Sequence, residues 1–80
     1  MPTVLLLQQY RFYFYSRETG EPPHIHVEWG DKLAKYWLEP VELASYKRFR
    51  AHELTALRPL VIEHRETFLR AWHEHFDPEY

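Results

Sequence analysis

The sequence predicts an α+β domain: a four-stranded antiparallel sheet of two hairpins, with a C-terminal helix, kinked or restarted at a proline, packed on one face. Three observations predict it. The first half holds paired runs of β-branched and aromatic residues, each pair separated by only two residues. From about Ala51 a helical apolar period takes over. The chain has 80 residues, no cysteine, and three Trp, six Tyr and five Phe. Large side chains, not disulfides, must therefore stabilise a single domain spanning residues 1–80.

The first hairpin joins Val4–Leu7 to Tyr10–Tyr15 through Gln8-Gln9. A two-residue loop there sets Leu7 opposite Tyr10 and Leu5 opposite Phe12. Leu5, Leu7, Tyr10, Phe12 and Phe14 then share one side, with Leu6, Arg11, Tyr13 and Tyr15 on the other. Gln-Gln suits a primed turn poorly, because such turns need positive φ. Ser16 to Pro23, with Gly20 and two prolines, reads as a loop. The second hairpin joins His24–Trp29 to Lys32–Leu38 through Gly30-Asp31, a Gly-first pair suited to a tight turn. Direct pairing opposes Ile25 to Tyr36 and Val27 to Ala34 on an apolar face, with His26 against Lys35 and His24 against Trp37 on the reverse.

Beyond Glu39-Pro40, Val41 and Leu43 read as a short connecting anchor. In the C-terminal third Leu54, Leu57, Val61, His64, Phe68, Trp72 and His75 form one stripe at steps of three or four. Pro59 falls inside it, and a proline there removes a donor and crowds the preceding turn, so a kink or a fresh helix start is expected.

A net charge of −2 and a pI near 6.3 exclude a strongly basic nucleic-acid binder. The absence of cysteine removes thiolate metal sites and Cys nucleophiles and fits a cytoplasmic location. Val4-Leu5-Leu6-Leu7 is too short to span a bilayer, so no membrane association is expected.

Pro22-Pro23-His24-Ile25-His26-Val27-Glu28 carries the most chemistry. Strand alternation lines up His24, His26 and Glu28, with both imidazoles turned outward from the helix-packed side. In one reading His24 and His26 are two ligands of a divalent metal such as Zn, with Glu28, His73 or His75 as candidates for the third position a stable site needs. In another, His24 and His26 act as base and acid in metal-independent RNA cleavage. Lys35 or Arg11 would then stabilise the phosphorane charge, and Tyr13, Tyr15 or Trp37 would stack bases. Lys35 beside His26 favours a neutral ring, while Glu28 pulls the other way. In the plainer reading the imidazoles bond to the proline-rich loop and hold the start of the strand. His64, among apolar neighbours, reads as a core histidine bonded to a carbonyl.

Several segments together carry a family resemblance: Met1-Pro2-Thr3-Val4, Tyr10-Arg11-Phe12 to Tyr15-Ser16, Glu21-Pro22-Pro23-His24-Ile25-His26-Val27, Trp37-Leu38-Glu39-Pro40-Val41-Glu42-Leu43-Ala44, and His64-Arg65-Glu66 to Ala71-Trp72. Read together, they resemble the bacterial domain of unknown function 4160 family. The resemblance implies a small stand-alone protein encoded beside a short partner in a toxin–antitoxin-like pair, with no established catalytic residues; no cofactor is predicted beyond the divalent metal considered above. The chain departs from the family pattern at Gln8-Gln9, where a turn glycine is usual, at Arg50, where a Ser would cap the helix, and at Pro59. With one helical layer, the face bearing Arg11, Tyr13, Tyr15, Trp37 and the histidines should meet another surface. The expectation is an interaction protein acting through a partner from a neighbouring gene or through a homodimer. A small ribonuclease using His24 and His26, or a metal-binding protein, are the alternatives.

Overall fold

The computed structural model describes residues 3–15, 17 and 20–76. Its order is β1 (Thr3–Leu7), β2 (Tyr10–Tyr13), β3 (His24–Trp29), β4 (Lys32–Leu38), β5 (Val41–Lys47), α1 (Ala51–Glu63) and α2 (Arg65–Phe76). The strands form one antiparallel sheet in sequence order. The class is α+β, but the sheet has five strands rather than four. Val41–Lys47, read from the sequence as a connecting anchor, is a full edge strand paired with β4. Ala44 is an extra residue in that ladder, since Lys35 faces Ser45 and Tyr36 faces Leu43. This bulge shifts the side-chain alternation by one and hides the strand's period of two.

Both hairpins take the expected register. Leu7 opposes Tyr10 and Leu5 opposes Phe12, while Ile25, Val27, His26 and His24 oppose Tyr36, Ala34, Lys35 and Trp37. In each loop the first residue alone has positive φ, Gln8 at 56° and Gly30 at 61°, the pattern of a type II′ turn. Gly30 takes this conformation at no steric cost, whereas Gln8 is held there by the pairing on either side. Of the expected loop from Ser16 to Pro23, Ser16, Glu18 and Thr19 lie outside the described residues.

The core lies between the helices and the face bearing Tyr10, Phe12, Phe14, Ile25, Val27, Ala34, Tyr36 and Leu38. From the helices come Leu57, Val61, Phe68, Leu69 and Trp72. Phe12 stacks on Phe68 at 5.0 Å between ring centres and Phe14 meets Trp72 edge-on at 5.6 Å, contacts that each add about 0.5–1.5 kcal/mol beyond burial. Arg50 precedes α1, where the Glu53 carboxylate accepts the Arg50 backbone N–H at 2.8 Å and a bond from Lys32 of β4. Glu53 thereby closes the helix start without the expected Ser.

Pro59 does not break α1, which runs on to Glu63. The helix turns instead at His64, whose backbone N–H bonds to the Leu60 carbonyl and whose own carbonyl accepts from Phe68 to begin α2. Pro59 and Thr55 are exposed, so water can serve the Thr55 carbonyl that the proline leaves without its helical partner. The His64 Nδ1–H also donates to the Leu60 carbonyl at 3.0 Å, the role its apolar neighbours suggested. Arg65 then fastens α2 to the sheet, donating to the Leu38 carbonyl at 2.5 Å and lying near Glu39 and Glu66.

Candidate functional site

Because both helices lie on one side of the sheet, the other side is left to its own side chains. Alternation from the core residues places Arg11, Tyr13, Tyr15, His26, Glu28, Lys35 and Trp37 there. Tyr13 stacks on His26 at 5.4 Å and Tyr15 meets His26 edge-on at 4.8 Å. Arg11 lies over the Tyr13 ring at 4.5 Å while pairing with Glu28. Lys35 lies over Trp37 at 4.5 Å and pairs with Glu21 at 2.7 Å. Each cation thus rests on an aromatic face and carries a carboxylate partner.

The expected interaction residues share this face but differ in access. Tyr15 is 41 % exposed, Arg11 and Trp37 are half-buried, and Tyr13 is 3 % exposed beneath its neighbours. Burial, followed by a hydrogen bond with Tyr15, pushes the Tyr13 hydroxyl far above the usual tyrosine range.

His24 departs from expectation. Its ring lies 5.0 Å from that of His26, so the two share a strip, yet it is fully buried. Trp72 of α2 lies 4.7 Å away and Trp37 lies 5.6 Å away. Alternation decides the side of the strand on which a ring starts, but His24 opens β3 at the end of the sheet, where a helical side chain can reach it. Its Nδ1–H donates to the Pro22 carbonyl at 2.9 Å, the loop-holding role of the plainer reading. The expectation that both imidazoles face solvent is therefore corrected: His26 alone is partly accessible.

This bears on the chemistry. Lys35 stands opposite His26 and next to the shared strip, so the three residues considered for acid–base catalysis are neighbours. A base and an acid must both reach the substrate, and His24 is fully buried. Among the described residues, no group of three or more His, Cys, Asp or Glu side chains is placed to hold a metal ion. Glu28, His73 and His75 thus do not complete a site with His24 and His26.

The same face contains a shallow hollow of about 210 Å³, walled by Tyr13, Tyr15, His26 and Lys35 and continued by Leu33, Ser45, Tyr46 and Lys47. The last three belong to β5 and were not identified from the sequence as site residues. The repeat Val41-Glu42-Leu43 was the available signal, cut short by the extra Ala44.

A family model described as Domain of unknown function (DUF4160) matches residues 10–73, which takes in β2 to β5, α1 and most of α2. The chain is a DUF4160 protein. No curated protein and no solved structure matches it. The DUF4160 match includes the histidine strand, the hollow and the helix layer that buries His24. No helix among the described residues is long and apolar enough to cross a membrane.

Proposed function

We propose that this DUF4160 protein is an interaction protein that acts by binding a partner protein on the uncovered face of its sheet. The partner would be the product of a neighbouring gene in a toxin–antitoxin-like pair, as the family resemblance implies. One observation carries the reading. A sheet face with helices only behind it presents Trp37 and, beside it, a hollow lined by Tyr15, Leu33, His26, Lys35 and Lys47. Aromatic side chains with cations on a rigid strand platform are the composition that anchors protein interfaces. Arg11 and Lys35 are held by Glu28 and Glu21, which tempers the positive field that RNA binding would call for.

The ribonuclease reading loses one of its two imidazoles to the core, and the metal reading lacks a third donor among the described residues. Co-expression with the neighbouring gene product followed by pull-down tests the partner reading. A complex should be recovered at micromolar concentration, and Tyr15→Asp should weaken it at least about tenfold by placing a charge at a buried aromatic anchor. The loss of folding stability should stay within about 1 kcal/mol, because Tyr15 is 41 % exposed and lies outside the core, packed on His26 and Tyr13. Absence of a complex, or one indifferent to Tyr15→Asp, would overturn the proposal. Purified chain that cleaves RNA, with activity lost in His26→Ala, would restore the enzyme alternative.

A further inference from the structure

The β5 edge supports a second inference, independent of the partner on the sheet face. Glu42 to Lys47 are all exposed, and among the described residues no ion pair engages Glu42 or Lys47. The strand has a symmetry that the bulge creates. In a regular strand residues five apart point to opposite faces, but the extra Ala44 brings Glu42 and Lys47 to the same one. Their β4 neighbours Trp37 and Leu33 both lie on the uncovered face. Leu43 and Tyr46 are likewise brought together on the helix-side face, opposite Tyr36 and Ala34. The order of facings therefore reads the same from either end about a midpoint between Ala44 and Ser45. The chemistry reads the same way, an acid balancing a base, Leu balancing Tyr, and Ala balancing Ser.

We propose that β5 pairs antiparallel with β5 of a second copy of this chain about a two-fold axis through the Ala44–Ser45 midpoint. Glu42 then stands opposite the partner's Lys47, and Leu43 opposite the partner's Tyr46, each contact made twice, as a closed two-fold interface requires. The opposed charges attract and the Leu–Tyr pairs cover side chains that are 38 % and 59 % exposed in the single chain. The outward backbone N–H and C=O groups of an open edge gain partners. With the axis perpendicular to the sheet, both uncovered faces point the same way. The two hollows, each walled by Ser45, Tyr46 and Lys47, lie on either side of the axis.

The test is a charge exchange read by sedimentation equilibrium of the untagged full chain across the micromolar range. Wild-type chain should approach twice the 9.9 kDa chain mass. Glu42→Lys sets Lys against Lys twice and Lys47→Glu sets Glu against Glu twice. Replacing two attractive pairs by two repulsive ones should weaken association at least about tenfold in either variant. Equimolar mixing of the two variants should restore a dimer, since every opposed pair is again opposite in charge, and so should the double exchange within one chain. Circular dichroism should remain native throughout, because both positions are exposed. A wild-type chain that stays monomeric would overturn the proposal and make the bulge and Lys47 a guard against edge pairing. A dimer unaffected by either exchange, or variants that mixing does not rescue, would overturn it as well. None of these outcomes depends on the neighbouring gene product, so failure here leaves the partner reading standing.

Discussion

Replacing His24 by Ala removes a fully buried ring in contact with Trp72 and leaves the Pro22 carbonyl without its donor. The cavity and the lost hydrogen bond together should cost about 2–4 kcal/mol, measured by urea unfolding. His26→Ala, at a half-buried site, should cost about 1 kcal/mol or less. Equal costs would contradict the structural role given to His24. Gln8 offers a change in the other direction, because its φ of 56° is costly for any residue with a Cβ. Gln8→Gly should raise stability by about 0.5–1 kcal/mol. Tyr13 supplies a pH dependence. Its hydroxyl titrates higher in the folded chain than in the unfolded one, so its contribution is complete below the ordinary tyrosine pKa and declines as pH rises through the folded value. The urea midpoint should therefore fall above about pH 10, and fall less steeply in Tyr13→Phe; identical alkaline slopes would refute the assignment. The side of the sheet occupied by each of these residues was legible in the sequence, because two-residue loops tie register to alternation. The burial of His24 was not, because alternation along β3 carries no information about a helix some fifty residues later in the chain.

At the scale of the element, α1 holds two opposed features. Pro59 denies the Thr55 carbonyl a helical partner, and Pro59→Ala would supply the N–H within an already helical backbone. A gain of about 1–2 kcal/mol is expected after allowing for the greater freedom of the unfolded chain, and a lower urea midpoint would show that the proline has a packing role. At the helix start, the bonds from Lys32 and the Arg50 N–H hold the Glu53 carboxyl below the usual carboxylate range. A lowered folded value gives stability that is present above the unfolded pKa and lost as pH falls through the folded one. Part of the acid-side decline below about pH 4 should therefore disappear in Glu53→Ala, whose midpoint at neutral pH is also lower. The helical stripe was readable from Leu54 to Trp72, since its apolar period is undisturbed by Pro59. The break at His64 was not, because it carries no Gly or Pro and arises where the Leu60 carbonyl serves both the backbone and the ring of His64. β5 was lost for the opposite reason: Ala44 displaced a pattern that was present on either side of it.

Across the whole molecule, protection should follow position in the sheet. β3 and β4 each have a paired strand on both sides, whereas β1 and β5 are edges, so amides of β3 and β4 should exchange last by mass spectrometry and those of β1 first. If β5 pairs with a second copy, its exchange should slow as concentration rises while that of β1 does not. An ordering in which β1 outlasts β3 would conflict with the topology. The same architecture separates two sets of positions. Along β2, β3 and β4, one alternating set, Phe12, Val27, Ala34 and Tyr36 among it, fills the interior, and the other, with Arg11, His26, Glu28 and Lys35, looks away from it. Apart from His24, which Trp72 covers, substitutions in the second set leave the interior intact, so related proteins can change what they bind by rewriting alternate residues of three strands. A new specificity then requires no new loop, no insertion and no rebuilt interior.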